Sequence, residues 1–169
     1  KAAGRWHTNH GGEYFAAGVG GAITGRGADL LIIDDPHSEQ DALSATGMES
    51  VYEWYTSGPR QRLQPGGAII LVITRWSVKD LTGALIKAQS DKNADKWELI
   101  EFPAVWENGK SMWPEYWDIE ELEKVKATLP AAKWNAQFQQ NPTAEEGSIL
   151  KREWWKVWPK KKIPKLHYV

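Results

Sequence analysis

Two stretches of this sequence decide its fold: Leu30–Pro36, LLIIDDP, and Ala68–Trp76, AIILVITRW. Each begins with a continuous aliphatic run of strand length and ends in polar residues. Such runs are typical of strands that are buried on both faces of a parallel sheet covered by helices. A helical pattern lies between them, around Met48–Tyr55, and another follows the second run, where Ser77 and Asp80 resemble a capping box. The alternation of strand and helix therefore predicts a parallel α/β sheet.

The glycine-rich segment Tyr14–Gly27 precedes the first of these strands and predicts a strand or hairpin rather than a helix. Gly20–Gly27, GGAITGRG, nearly fits the phosphate-loop pattern G-x-x-x-x-G-K-[ST], but Arg26 stands in place of the lysine and Gly27 in place of the hydroxyl residue. A strand also begins at Leu30, where a phosphate loop requires a helix. The segment is therefore not predicted to be a phosphate loop.

The local patterns change after Ser90. Trp97–Phe102 alternates along its length, which predicts a half-exposed strand, and Pro65–Gly67 predicts a turn ahead of the second buried strand. Two helices are predicted towards the end of the chain. The first is capped by Asp118 and runs to about Leu129, and the second covers Ala131–Gln140.

Composition excludes several classes of function. The 169-residue chain has a formal net charge of −1 and no cysteine, which excludes disulfides, cysteine-ligated zinc and thiol catalysis. No apolar run approaches the roughly 18–20 residues of a membrane span. The four histidines show no metal-ligand spacing, and His37 is interpreted as a surface-loop residue. Eight of the 11 tryptophans fall between Trp97 and Trp158, and we interpret them as packing residues.

The polar ends of the two buried strands carry the candidate chemistry. A hydrophobic strand that ends in paired acids, here Asp34 and Asp35, is typical of a Walker B element. The first acid holds Mg²⁺ against nucleotide phosphates, and the second orients or deprotonates the attacking water. A simple Asp-Asp-Pro turn is the alternative, since Asp is common in turns. Thr74 and Arg75 favour the functional interpretation, because the carboxyl ends of parallel strands meet at one edge of a sheet.

Six blocks of sequence occur in an order that indicates one family. They are GVGGAITGRGADLLIIDDP (Gly18–Pro36), RLQPGGAIILVITRWSVKDLTG (Arg62–Gly83), FPAVW (Phe102–Trp106), MWPE (Met112–Glu115), FQQNP (Phe138–Pro142) and EGSILKREWW (Glu146–Trp155). The first block resembles the region around Walker B in large terminase subunits of tailed bacteriophages, and the second resembles the strand and coupling motif that follow it. The next three blocks are similar to later motifs of the same family, and the last resembles the approach to its nuclease domain. The resemblance covers nearly the whole chain.

This resemblance implies an ASCE-type P-loop ATPase that drives DNA into a viral procapsid and is joined to a metal-dependent nuclease. It makes Asp34 the Mg²⁺-associated acid and Asp35 the catalytic carboxylate, although this position is more often Glu in such ATPases. Thr74, together with Arg75, would sense the phosphate and couple hydrolysis to movement. The implied cofactor is Mg²⁺ with ATP. The implied partners are double-stranded DNA, a portal and a small terminase subunit, in a homo-oligomeric ring in the host cytoplasm with no membrane.

The resemblance also implies three parts. Residues 1–90 would form the C-terminal half of the ATPase core, a partial P-loop NTPase sheet that lacks its phosphate-loop strand. Residues 91–145 would form a Trp-rich helical subdomain, and residues 146–169 a basic linker and the start of the nuclease domain. Both ends of the chain look cut. We therefore expect the phosphate loop upstream of Lys1, the nuclease acids beyond Val169, and no activity from this fragment alone.

Several alternatives remain open at the level of sequence. Lys160, Lys161 and Lys162 suit contacts with DNA phosphates, but a solvated linker explains them as well and is the interpretation we favour. Arg75 suits either an arginine finger or an ion-pair partner for the acids. The whole pattern also suits another nucleic-acid motor, such as a helicase, or a non-enzymatic α/β interaction module in which the acids are turn residues.

Overall fold

The computed structural model describes residues 4–143. The elements follow in the order β1 (Arg5–His7), β2 (Glu13–Phe15), β3 (Ala28–Asp34), α1 (Glu39–Ala42), α2 (Ala45–Ser57), a 3-10 turn (Pro59–Arg62), β4 (Leu63–Val72), α3 (Leu81–Ala88), α4 (Ile119–Thr128), α5 (Ala131–Lys133) and a π-helical turn (Trp134–Phe138). This mixture of helices with a small parallel sheet confirms the α/β prediction. No helix within residues 4–143 is long and apolar enough to span a bilayer.

The two buried runs form neighbouring parallel strands, as predicted. β3 pairs with β4 in a register that sets Ile33 opposite Leu71 and Asp34 opposite Val72. The register shifts at the start of both strands, and the predicted turn at Pro65–Gly67 lies inside β4 at this irregularity. The backbone does turn here ahead of Ala68, since Gly66 has a φ of +81°, and the four residues 64–67 stand opposite Asp29 alone. The turn interrupts the ladder, but β4 begins before it, at Leu63.

Helices cover only one face of this sheet in the part of the chain that the structure describes. Ile33 packs with two side chains of α2 and two of α3, namely Val51, Tyr55, Leu81 and Leu85. The opposite face leaves four side chains roughly half exposed: Leu30, Ile32, Ile70 and Val72. The expectation that the strands are buried on both faces is therefore not met within residues 4–143.

The helix boundaries follow their caps. α2 ends before Gly58 and a 3-10 turn begins at Pro59, because proline is tolerated in the first turn of a helix but not in its interior. α4 is capped as predicted, since the side chain of Asp118 accepts a hydrogen bond from the Glu121 amide (2.8 Å). α3 begins later than the sequence suggested. Its N-cap is Asp80 rather than Ser77.

One predicted strand is wrong, since Trp97–Phe102 forms no strand hydrogen bonds. The prediction of a strand or hairpin within Tyr14–Gly27 is met only at Tyr14 and Phe15, the last two residues of β2. A hairpin does precede β3, but β1 and β2 form it further upstream, with Trp6 paired opposite Tyr14. Residues 146–169, with the lysines at positions 160–162, lie outside the described residues.

Candidate functional site

Asp34 and Asp35 lie where β3 leaves the sheet, and the backbone turns sharply between them. Asp34 is the last residue of β3 and is exposed, on the same face as Ile32. Asp35 has a φ of +43°, in the left-handed region that Asp tolerates better than most residues. Its amide still donates to the Val72 carbonyl oxygen (2.9 Å). This last bond of the parallel ladder holds the turn close to the end of β4.

A side-chain hydrogen bond joins this turn to the end of β4. The amide of Thr74 donates to Oδ1 of Asp35 at 2.9 Å, across 39 residues of sequence. The structure therefore brings Asp35 and Thr74 together, as expected for the ends of neighbouring parallel strands. Oδ2 of Asp35 and both carboxylate oxygens of Asp34 have no hydrogen-bond partner among residues 4–143. Both acids thus retain oxygens that a ligand can reach.

The donor set at this turn suits Mg²⁺ that is bound together with a nucleotide. Mg²⁺ prefers oxygen ligands, keeps several waters, and is commonly held by one or two carboxylates plus substrate phosphates. Asp34 and Asp35 offer two adjacent exposed carboxylates of this kind. Within the described range, no group of three or more His, Asp or Glu side chains converges. The arrangement therefore fits a site completed by phosphates better than a cage built from protein ligands alone.

Arg75 pairs with a third acid and not with the two at the turn. Its Nε donates to Oδ2 of Asp80 at 2.9 Å, and both side chains are buried. The same carboxylate accepts hydrogen bonds from the amides of Trp76 (3.0 Å) and Ser77 (3.3 Å), and its other oxygen caps α3 through the Gly83 amide (2.9 Å). Asp80 thus fixes the chain between β4 and α3. The sequence indicated an Asp near a helix start, but it did not indicate that Arg75 is its partner.

His37 holds the other side of the acidic turn, and its interpretation as a surface residue is wrong. Its Nε2 accepts a hydrogen bond from the Leu81 amide at 2.8 Å, and the ring is only 5% exposed. Burial lowers the pKa of His37, and the nearby charges of Asp80, Asp41 and Asp35 only partly oppose this shift. The neutral imidazole therefore acts as an acceptor at the first residue of α3. No local signal predicts a contact across 44 residues.

Of the candidate residues named from the sequence, Asp34, Asp35 and Thr74 lie at one edge of the sheet. Arg75 follows Thr74 in the chain, but its side chain pairs with Asp80. The lysines at positions 160–162 lie outside the described residues. The sequence matches no protein-family model and no curated protein. The assignment of a function to this site therefore depends on its geometry and on the sequence blocks that resemble terminases.

Proposed function

We propose that this chain is part of an ATP-hydrolysing motor that packages viral DNA into procapsids, as a large terminase subunit does. The observation that supports this most directly is the hydrogen bond from the Thr74 amide to Asp35. It links the carboxyl ends of two adjacent parallel strands, which is where open α/β sheets bind their ligands. Asp34 lies next to it with an exposed carboxylate.

In this proposal the two acids have different tasks. Asp34 holds Mg²⁺ together with the phosphates of ATP, and the cation, when bound, offsets the negative charge of the phosphoryl group. Asp35 orients the attacking water through Oδ2, because its Oδ1 already accepts the Thr74 amide. That bond fixes the direction of the carboxylate. It also keeps the side chain of Thr74 at the edge where the terminal phosphate would lie.

Arg75 then serves as the connection between the site and the neighbouring helix. It follows Thr74 directly, and its guanidinium is held by the residue that caps α3. A displacement of the β4 end on hydrolysis would therefore be transmitted to α3 through Asp80. Coupling in this chain therefore means that movement at the β4 end is passed to α3 through the Arg75–Asp80 pair. The role does not require Arg75 to reach the nucleotide.

The remaining parts of the proposal derive from the resemblance to terminases. They are double-stranded DNA, a portal and a small terminase subunit as partners, a homo-oligomeric ring in the host cytoplasm, and an endonuclease activity outside this chain. A helicase-type motor would use the same acids and the same polar strand end. It is the closest alternative among enzymes.

A non-enzymatic interaction module is the second candidate, and one observation favours it. The left-handed backbone of Asp35 and its bond to Thr74 are also what a purely structural turn would show. In that case Asp35 stabilises the loop and no phosphate binds. The two candidate functions predict different effects on ATP hydrolysis for a variant in which Asp35 loses its charge but keeps the hydrogen bond from the Thr74 amide.

Asp35→Asn makes that distinction. Asn tolerates the left-handed region and retains an oxygen that can accept the Thr74 amide, so the fold should persist. The assay is ATP hydrolysis by a chain long enough to include the predicted phosphate loop, with Mg²⁺ present. Under the proposal, hydrolysis falls by about 100-fold or more, as expected when a catalytic base is lost. Asp34→Asn should also abolish most of the activity.

Asp29→Asn is the matched control, because Asp29 is an exposed acid at the opposite end of the same strand. It should hydrolyse ATP at the rate of the unmodified protein. Circular dichroism and the melting temperature should be unchanged in all three variants. Full hydrolysis by the Asp35→Asn protein would refute the catalytic role of Asp35, whereas no ATP hydrolysis by the unmodified protein would refute the ATPase assignment and support the interaction module.

A further inference from the structure

The loops that follow β3 and β4 are both attached to the start of α3. The loop after β4 is held by Asp80, the N-cap of α3, whose carboxylate accepts the amide of Trp76 (3.0 Å) and the guanidinium of Arg75 (2.9 Å). The loop after β3 is held by the next residue of the helix, because the Leu81 amide donates to Nε2 of His37 at 2.8 Å. Two consecutive residues therefore support both strand ends of the candidate site.

Residues 35–38 follow β3 directly, and each of them is held by a different contact. Asp35 is bound to the end of β4 through its backbone amide and through Oδ1. Pro36 is buried, and Ser38 is the N-cap of α1 and forms a capping box with it. His37 lies between these points. In the described part of the chain, its ring provides the only hydrogen bond from this segment to α3.

A single hydrogen bond sets the orientation of the His37 ring. Nε2 accepts the Leu81 amide, so the proton of the neutral ring is on Nδ1. Nδ1 is buried and has no hydrogen-bond partner among the described residues. A substitution that removes the acceptor at Nε2 therefore removes the one bond that holds this side chain against α3.

Asp35 needs this support because its backbone conformation is unfavourable. Its φ of +43° lies in the left-handed region, which costs energy for every residue except glycine. Such conformations persist only where the surrounding contacts impose them. Pro36 separates Asp35 from His37, and its ring restricts φ. A shift of the His37 backbone is therefore passed on to Asp35 and is not absorbed between them.

We infer that His37 is a positioning residue for ATP hydrolysis, which holds the Asp35 carboxylate in its active orientation by accepting the Leu81 amide. The inference rests on the proposed function, and it gives His37 a task in that reaction without contact with ATP. Misplacement of a catalytic group by about 1 Å can lower a rate by about 100-fold, so loss of this bond should lower kcat. The KM for ATP should change little, because Asp34 and the predicted phosphate loop bind Mg²⁺ and the phosphates.

Three substitutions of His37 separate the acceptor from the rest of the side chain. His37→Gln places an amide oxygen at about the distance of Nε2 from the backbone, whereas the shorter His37→Asn places its oxygen nearer the position of Nδ1. His37→Leu has no acceptor. The assay is steady-state ATP hydrolysis with Mg²⁺ by a chain long enough to include the predicted phosphate loop. It is run at a temperature at which circular dichroism shows that every variant is folded.

We expect His37→Leu and His37→Asn to lower kcat by about 10- to 100-fold and to change the KM for ATP by less than about threefold. His37→Gln should restore most of kcat. A side chain that only stabilised the fold would not separate Gln from Asn when both variants are folded. Equal kcat values for these two variants, or a higher KM with an unchanged kcat in His37→Leu, would overturn the inference.

A double substitution tests whether His37 acts through Asp35. The Asp35→Asn protein has no catalytic carboxylate to orient, so adding His37→Leu to it should lower the residual rate by less than about threefold. Losses that multiply would assign His37 an independent role and refute the inference. Each of these results leaves the proposed function intact, whereas no hydrolysis by the unmodified protein would refute both.

Amide hydrogen exchange provides a test that needs no ATP. The Thr74 amide donates to Asp35, so its protection reports whether the carboxylate is held in place. This amide should exchange about tenfold faster in His37→Leu than in the unmodified protein, and His37→Gln should restore its protection. The Glu121 amide, which Asp118 caps in α4, is the internal reference and should not change. Unchanged protection of Thr74, or an equal loss of protection at Glu121, would show that His37 does not hold Asp35 and would refute the inference.

Discussion

The buried ion pair between β4 and α3 leads to the strongest stability prediction. Asp80 is fully buried, and Arg75 is 8% exposed. Asp80→Ala removes the only acidic group in contact with this guanidinium among residues 4–143. It also leaves the amides of Trp76 and Gly83 without their acceptor. The variant therefore combines an uncompensated buried charge with the loss of a helix cap.

The size of the effect follows from these two losses. Removing one partner of a buried ion pair costs about 3–5 kcal/mol, and losing an N-cap costs about 1 kcal/mol. Because one carboxylate makes both sets of contacts, the two costs overlap, and we expect a total of about 4 kcal/mol. A domain of this size is stable by only about 5–15 kcal/mol. The melting temperature of the Asp80→Ala protein should fall by roughly 10–15 °C.

The assay is urea and thermal unfolding, followed by circular dichroism and tryptophan fluorescence. Asp118→Ala is the matched control, because Asp118 caps α4 in the same way but is exposed and forms no salt bridge within residues 4–143. It should cost only about 1 kcal/mol. Asp80→Asn keeps an oxygen for the Gly83 amide, and adding Arg75→Met to it should restore part of the lost stability. If Asp80→Ala costs no more than Asp118→Ala, the proposed buried pair contributes nothing and the reasoning fails.

Two further predictions concern pH and packing. Burial lowers the pKa of His37, so below about pH 6.5 the unfolded chain binds more protons than the folded one and stability falls as the pH drops. His37→Gln still offers an acceptor to the Leu81 amide and should reduce this loss of stability, as measured by urea unfolding between about pH 7 and 5.5. An unchanged dependence of stability on pH in this variant would contradict the assignment. A Cβ at Gly83 would overlap the Val78 carbonyl, so Gly83→Ala should destabilise by about 1–3 kcal/mol despite the helix preference of alanine. Gly18→Ala, with no atom within 4 Å of the new Cβ, should leave the melting temperature unchanged, and equal effects at both glycines would refute the clash.

Short-range patterns predicted those elements whose causes are local. The two aliphatic runs became β3 and β4, and the Asp118 cap placed the start of α4 correctly. Hydrophobic periodicity and helix capping depend on residues that lie within a few positions of each other, so a single sequence displays them directly. The prediction at Trp97–Phe102 shows the limit. Its alternation is that of a strand, but a strand also requires a neighbour, and the described part of the chain supplies none.

Contacts between distant residues explain the errors at the site. His37 reaches Leu81 across 44 residues, and Asp35 reaches Thr74 across 39. The sequence suggested that Asp35 and Thr74 lie at one edge, because parallel strands bring their carboxyl ends together. It did not indicate that His37 is buried. A loop histidine and a histidine that accepts a backbone amide have the same local sequence.

By itself, the sequence determined the two aliphatic strands, the helix that follows each of them, the parallel arrangement of these strands, and the presence of two acids where the first strand ends. Only the tertiary structure decided which acid holds Arg75. Three acids lie near a strand end or a helix start in the sequence, namely Asp34, Asp35 and Asp80. Charge alone would attract Arg75 to each of them. The loop between β4 and α3, held by the hydrogen bonds of Asp80 to the amides of Trp76 and Gly83, places Asp80, and not the other two, within 2.9 Å of the guanidinium. Both groups are removed from water there. Asp34 and Asp35 therefore remain exposed and available to a ligand.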